Sequence, residues 1–200
     1  MDSEPKLGPP GAGLPTIELW IGRARFAWQR WTGNYEAFNR HFQNERDRIR
    51  PLLKNVDASS GARRVLIKRV RGLEDSSRYW SIWMTLDHLR IVNGSFDRIV
   101  RALTKGIIPE GKASTATVKP SPSATASVVT DYESSCDCLL ATVASVQDWR
   151  PSLRYAHPWF GPLNAAGWHA LAGGHMAIHR NQLERILKGF HLRPSFDAGE

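Results

Sequence analysis

The 200-residue sequence contains only two cysteines, and no apolar run approaches the roughly eighteen residues that cross a bilayer. A disulfide framework and a membrane-spanning helix are therefore not expected. The first fifteen residues carry acids, prolines and glycines where a secretory signal has a basic start and an apolar centre. P-loop, GxGxxG and GxSxG motifs are absent as well. These absences favour a cytoplasmic protein with no membrane partner.

Acidic residues are also scarce, because 27 Lys and Arg face 19 Asp and Glu, which gives a net charge of +8 and a pI near 9.9. Such a balance is typical of nucleic-acid-binding proteins. The surplus is confined to residues 20–71, where 13 basic residues accompany 4 acidic ones. No nucleic-acid motif is present there. We interpret this region as a solvated face or an anion-attracting patch, and nucleic acid is not an expected partner.

What is present is helical periodicity. Residues 1–14 are rich in proline and glycine and predict a disordered tail, residues 15–190 predict one helical domain, and residues 191–200 a second tail. Within the domain, apolar residues recur at helical spacing in four segments: 17–52, 76–105, 129–147 and 164–189. The predicted fold is an all-α four-helix bundle.

Three interruptions shape this bundle. Gly33 either kinks the first helix or breaks it in two. Residues 57–72 form a basic, extended connector that can contain a short strand. Residues 106–127 form a connection too long for a simple turn, which is either a lid or a crossover between non-adjacent helices.

The apolar stripe of the first segment is expected to pack against the rest of the bundle. It contains three of the eight tryptophans, Trp20, Trp28 and Trp31, which we interpret as packing residues. A stripe on so long a helix is also compatible with a homodimer.

Two histidines occupy the inward stripe of the fourth segment. His175 and His179 are four residues apart, so they stand one turn apart on one helix face, where two imidazoles can bind one ion. His88 lies beside the stripe of Leu86 and Leu89 in the second segment and can also project inward. Buried imidazoles need hydrogen-bonding partners or a metal, since an unsatisfied buried polar group costs about 1–3 kcal/mol. Three neutral imidazoles leave open coordination positions, as catalytic metal sites do.

The sequence around these histidines resembles the DinB-like (YfiT-like) metalloprotein superfamily over about residues 16–190. The matching segments are Trp83–Leu89, His157–Leu163, Trp168 and the HxxxH pair followed by Gln182. The resemblance implies a four-helix bundle with a crossover connection and a divalent metal held by His88, His175 and His179. Imidazole and open coordination suit Zn, Ni, Fe and Mn alike.

The resemblance also implies a range of reactions. Relatives include transferases and isomerases that use a low-molecular-weight thiol, such as mycothiol, bacillithiol or glutathione. The basic first third and the pair Gly173 and Gly174 depart from many relatives. Each of these glycines weakens a helix by about 1 kcal/mol, or leaves room for a ligand beside the ion.

Several residues are candidates for supporting roles. Gln182 either orients a ligand or acts as a buried capping amide, and His157 either fixes the turn into the fourth helix or supports the site. Candidates for lining a pocket are Trp80, Trp83 and Trp159.

Other residues are not expected to contribute. Asp87, His41, His169 and His191 are predicted to lie at the surface. Cys136 is predicted to lie in the core, with the Cys138 thiol diverging from it, because residues two apart on a helix point about 200° apart.

These observations favour a metal-dependent transferase or hydrolase that acts on a small molecule by Lewis-acid activation of a water or thiol. The alternative is a non-catalytic metal-binding or interaction module whose Arg-rich face binds an anion or nucleic acid.

Overall fold

The computed structural model describes residues 4–148 and 150–191. The described chain forms six α-helices: α1 (Thr16–Thr32), α2 (Tyr35–Leu53), α3 (Ala58–Ala62), α4 (Ile82–Thr104), α5 (Val128–Ala144) and α6 (Ala165–His191). Its strands are two or three residues long and form two antiparallel pairs, β1 (Val65–Leu66) with β2 (Tyr79–Trp80), and β3 (Tyr155–His157) with β4 (Gly161–Leu163). The predicted all-α fold class is confirmed.

Four of these helices, α2, α4, α5 and α6, form the bundle. α6 packs against both α2 and α4, and α4 packs against α5. The ring closes where Arg46 of α2 forms ion pairs with Glu133 and Asp137 of α5. Contacts between α4 and α5 advance in the same direction along both helices, from Asn93 with Cys136 to Arg101 with Thr142, so these neighbours are parallel.

Parallel neighbours explain the long connection between α4 and α5. Because both helices start at the same end of the bundle, the chain must return along α4 before α5 can begin. It does so with Val118 beside His88 and Ser121 beside Asp87. The long connection is therefore present, but it joins adjacent helices rather than non-adjacent ones, and it covers the start of α4.

Gly33 breaks the first segment into two helices. Asn34 caps α2, because its side-chain oxygen accepts the Ala37 N–H at 2.9 Å. A Cβ on Gly33 would lie 2.3 Å from Cε1 of Phe38 and 2.6 Å from the carbonyl oxygen of Gln29. No larger residue fits this junction without moving one of the two helices.

The orientation predicted for α1 is wrong. This helix lies outside the four-helix ring, where Phe26 packs against Phe160 of the β3–β4 hairpin with ring centroids 4.7 Å apart. Phe26 lies about 180° around the helix from Ile17, so the predicted inward stripe faces solvent. Its members are exposed by more than half: Ile17 77%, Trp20 64%, Ile21 58%, Trp28 63% and Trp31 75%. Helical periodicity identifies a one-sided stripe but not the side on which the protein body lies.

The remaining helices face as predicted. Apolar residues of α4 from Ile82 to Leu103 and of α5 around Leu139 are buried in the shared core. Asn164 caps α6 by accepting the Gly167 N–H at 3.0 Å. In the described part of the chain, no helix is both long and apolar enough to cross a bilayer.

The predicted N-terminal tail contains neither helix nor strand over residues 4–15, and it lies against the bundle. The backbone N–H groups of Gly8 and Gly11 donate to the carboxylates of Asp75 and Glu74. The predicted C-terminal tail lies outside the described residues, apart from the last residue of α6.

Candidate metal centre

The three histidines singled out in the sequence lie together between α4 and α6. Nε2 of His88 is 3.1 Å from Nε2 of His175. The His179 ring centroid lies 4.5 Å from each of the other two ring centroids. One ring nitrogen from each residue lies within 4.8 Å of the other two. The cluster forms because α4 and α6 are antiparallel, which places the start of α4 beside the middle of α6.

His88 is oriented by the long connection. Its Nδ1–H donates to the carbonyl oxygen of Val118 at 2.6 Å. A carbonyl only accepts hydrogen bonds, so Nδ1 carries the proton and the Nε2 lone pair points into the cluster. The connection between α4 and α5 thus sets the tautomer of a candidate ligand.

Gln182 orients His179 in the same way. Its Nε2 donates to the carbonyl oxygen of Ser77 at 2.7 Å, which fixes the direction of the amide. The amide oxygen then faces Nδ1 of His179 at 2.7 Å and accepts its proton, leaving the Nε2 lone pair free. Of the two roles considered for Gln182, the geometry supports the orienting one, directed at a histidine.

His175 is the most exposed of the three histidines. Its Nδ1 is buried and has no hydrogen-bond partner in the described structure, although part of the side chain reaches solvent. A Cβ added to the neighbouring Gly174 would find no atom within 4 Å. Gly174 therefore has free space beside the backbone that carries His175.

The donor set fits a divalent transition metal. Two imidazole nitrogens bound to one tetrahedral zinc lie about 3.3 Å apart, close to the separation of the His88 and His175 Nε2 atoms. Without an ion, the Nε2–H tautomer of His175 donates to the His88 Nε2 lone pair at this distance. A cation would take the place of that proton, and three imidazole ligands would leave at least one of its coordination positions open.

Burial keeps the three imidazoles neutral. It lowers the pKa of His88 to about 4, an effect that the Val118 carbonyl opposes. It also places the pKa values of His175 and His179 well below the usual range, and the neighbouring imidazoles lower them further. Neutral imidazole is the form that binds metal ions.

Trp80 forms one wall of the cluster. Its ring stacks on His179 at 6.1 Å and is tilted against His88 at 5.1 Å. On its other side, the Lys119 ammonium lies 5.4 Å from the ring centroid and pairs with Glu74 at 3.4 Å. Trp80 is therefore the tryptophan that lines the site, as considered from the sequence.

The Glu74–Lys119 pair is a feature that the sequence did not reveal. Burial alone would raise the pKa of Glu74, but hydrogen bonds from Gly11 and Thr115 and the Lys119 charge bring it below the usual range. Lys119 lies in the connection that covers the site, and only the fold of that connection brings it to Glu74.

Three other candidates do not belong to the cluster, although His157 is close enough to His175 to add to the effect of burial in lowering the pKa of His175. Trp83 packs beneath α3, where its Nε1 donates to the Ala58 carbonyl oxygen at 3.3 Å. Trp159 and His157 belong to the β3–β4 hairpin, in which Nδ1 of His157 accepts the Trp159 N–H at 3.1 Å. His157 packs on Trp168, and burial lowers its pKa to about 4. Its contacts support the role of fixing the turn into α6.

Two of the predicted surface positions are wrong. Asp87 is buried, pairs with Arg90, and accepts the Ser121 N–H at 2.8 Å, which holds the long connection against α4. His169 is fully buried and contacts the Phe38 ring. His41 is half-buried, and the side chain of His191 lies outside the described structure.

The two helix-six glycines play different roles. A Cβ on Gly173 would lie 2.8 Å from Nδ1 of His41 and 3.2 Å from the Phe42 backbone nitrogen, so this glycine permits close packing of α2 on α6. Gly174, in contrast, has open space beside it. Only Gly174 matches the suggestion that a glycine leaves room for a ligand.

The two cysteines diverge as predicted. Cys136 is fully buried and Cys138 is exposed. Burial raises the pKa of the Cys136 thiol to about 12, so it stays protonated and unreactive at neutral pH.

The Arg-rich segment of α2 is engaged in ion pairs. Arg46 and Arg50 both contact Glu133, and Arg48 contacts Glu45. Arg46 is also buried. Guanidinium groups held by carboxylates are poorly placed to contact phosphates, so this geometry offers little support for the alternative of a nucleic-acid-binding face.

Comparison with known proteins gives the fold. No protein-family model matches the chain, and no curated protein matches it. The structure is similar to the crystal structure of TT2238, a four-helix bundle protein, with a TM-score of 0.54 and 21% sequence identity. The similarity covers 76% of this chain and 98% of the TT2238 chain. At this identity the likeness shows the shared four-helix bundle fold alone.

Proposed function

We propose that this chain is a DinB-like metalloprotein that binds one divalent metal ion through His88, His175 and His179 and acts as a metal-dependent transferase or hydrolase on a small molecule. The observation that carries the proposal is the convergence of three neutral imidazoles, two of which are held by Val118 and Gln182 with their free lone pairs directed at one point. Two unbridged cysteines suit the cytoplasm as its location.

The chain's own groups prepare the site for such chemistry. A divalent ion held there would supply Lewis-acid activation, lowering the pKa of a water or thiol to give a nucleophile at neutral pH. Val118 and Gln182 retain the Nδ1 protons of His88 and His179, which keeps both Nε2 atoms available as ligands. Trp80 excludes water from one side of the site.

The open side beside His175 and Gly174 is where a small molecule could reach the site. A low-molecular-weight thiol is one candidate co-substrate, because a soft thiolate binds well to the metals that imidazole accepts. The buried thiol of Cys136 is not available for this role, since it is protonated and lies in the α4–α5 interface.

Metal analysis of the purified protein tests the proposal. We expect about one equivalent of Zn, Ni, Fe or Mn in the wild type and less than about a tenth in His88→Ala and His175→Ala, since each change removes a ligand. His169→Ala is the matched control, because it removes another buried imidazole, which packs on Phe38 of α2, and should retain the metal. Equal and negligible metal in all four proteins would contradict the proposal.

A further inference from the structure

The outward face of α1 is unusual for a globular domain. Its five large apolar side chains, Ile17, Trp20, Ile21, Trp28 and Trp31, are 58–77% exposed and lie within about 100° of the helix circumference. Three indoles exposed to this extent present roughly 300–500 Å² of apolar surface. Together with the isoleucines, this equals or exceeds the largest apolar patch of a typical monomer, about 300–600 Å², and such patches mark interaction sites.

The opposite face fixes α1 on the protein body. Phe26 packs on Phe160, Gln29 donates to the Ala170 carbonyl oxygen, and Glu18 pairs with Arg69. The helix is therefore held along its length with its apolar face directed outward. Rotation of α1 to bury the tryptophans would break all three contacts.

The charges around this face are basic. Arg23 and Arg25 are exposed on α1, and Arg71 lies close to Glu18 at the start of the helix. Arg30, in contrast, lies on the side of α1 that faces the protein body, where its guanidinium packs 5.7 Å from the Phe26 ring centroid. The one acidic residue of α1, Glu18, is half-buried and neutralised by Arg69.

In contrast to the expectation of no membrane partner drawn from the sequence, we propose that α1 binds an anionic membrane surface, lying in the plane of the bilayer with its tryptophans and isoleucines among the lipid headgroups. A helix with Trp and Ile on one face and Arg beside it is the kind that binds membrane interfaces without crossing them. Indole rings favour the headgroup region, and each arginine near an anionic surface adds to the affinity.

Charge also distinguishes this partner from a second copy of the chain. A symmetric dimer through α1 would bring two Arg-bordered faces together, in molecules that each carry a net charge of +8. Like charges around a small interface oppose association. An anionic bilayer complements the same charges.

Vesicle flotation at pH 7 tests the inference. It compares vesicles of phosphatidylcholine alone with vesicles in which about 30% of the lipid is anionic phosphatidylglycerol. We expect the wild type to bind the anionic vesicles more than about tenfold better than the zwitterionic ones, and binding to weaken as salt is raised. Combined substitution of Trp20, Trp28 and Trp31 by serine should reduce binding more than about tenfold. The matched control replaces Ile107 and Ile108, exposed by 57% and 54% outside α1, by serine and should bind as the wild type does.

A second variant, Arg25→Gln with Arg71→Gln, tests the charge separately and should weaken binding about fivefold for each arginine. If circular dichroism shows that the tryptophan variant does not fold, this arginine variant still tests the inference. Absence of wild-type binding to anionic vesicles, or binding by both variants that equals that of the wild type, would overturn the inference. A different partner would be indicated if light scattering showed a wild-type dimer that the tryptophan substitutions dissociate, while neither the wild type nor the tryptophan variant bound vesicles. That result would also overturn the inference.

Discussion

Replacement of Gln182 separates a ligand-orienting role from a purely structural one. The amide is fully buried and makes two hydrogen bonds of 2.7 Å, accepting from His179 and donating to the Ser77 carbonyl oxygen. Gln182→Leu removes both bonds and frees the His179 ring to rotate or change tautomer. Loss of a group that orients a metal-bound histidine typically weakens metal affinity 10–100-fold, or about 1.4–2.7 kcal/mol.

Gln182→Glu provides the contrast. A carboxylate still accepts the Nδ1–H of His179, but it cannot donate to the Ser77 carbonyl oxygen, which is left unsatisfied at a cost of about 1–3 kcal/mol. We therefore expect Gln182→Leu to lose both stability and metal affinity, and Gln182→Glu to lose stability while retaining affinity within about threefold.

Two assays measure these effects independently. Competition with a chromogenic zinc chelator at pH 7 gives the metal affinity, and urea unfolding of the metal-free protein gives the free energy of unfolding. If both variants lose affinity in proportion to their loss of stability, Gln182 supports the fold without orienting the histidine, and the tautomer reasoning is refuted.

Three further predictions concern the two helix-six glycines, the two thiols and Glu133. Gly173→Ala should lower the free energy of unfolding by about 1–3 kcal/mol, because the added methyl group collides with His41. Gly174→Ala has open space beside it and should change the free energy of unfolding by less than about 1 kcal/mol or raise it; urea unfolding measures both. In the native protein at pH 8, only the exposed thiol of Cys138 should react with a disulfide reagent, whereas both thiols should react in denaturant. Two fast-reacting thiols in the native protein would contradict the burial of Cys136. Burial raises the pKa of Glu133 but its two arginine partners lower it further, so the net folded pKa is depressed. Its stabilising effect is therefore complete above the unfolded carboxyl pKa and is lost as pH falls through the folded one, so wild type and Glu133→Gln should differ by on the order of 1 kcal/mol at pH 7 and converge once the pH falls below the folded pKa.

The sequence predicts those parts of the fold in which the apolar stripe of a helix is also the side buried in the structure. The stripe of Leu86 and Leu89 placed His88 toward the interior, and the spacing of His175 and His179 placed both on one face. For α1 the same reasoning gave the wrong side, because a helix attached to the outside of a bundle can pack through one large buried residue, Phe26, and leave the stripe exposed.

The surroundings of the histidines were harder to predict. Two backbone carbonyls orient the histidines: that of Val118 accepts from His88, and that of Ser77 fixes the Gln182 amide that contacts His179. Any residue type provides a backbone carbonyl, so the sequence gives no signal for either contact. Asp87 points away from the helix interior and was expected in solvent, but the returning connection covers it and its carboxylate holds Ser121. The Val118 and Ser121 contacts depend on the path of the connection between α4 and α5, which has too few large apolar groups to show a pattern in the sequence. The Ser77 carbonyl lies in the segment before α4.

Anomalous diffraction from crystals of the protein, recorded on both sides of the absorption edge of the bound metal, tests the central claim most directly. We predict one anomalous peak per chain, within bonding distance of the Nε2 atoms of His88, His175 and His179. A peak at another position, or a metal-loaded crystal whose three imidazoles contact no ion, would contradict the assignment of this cluster as the metal centre.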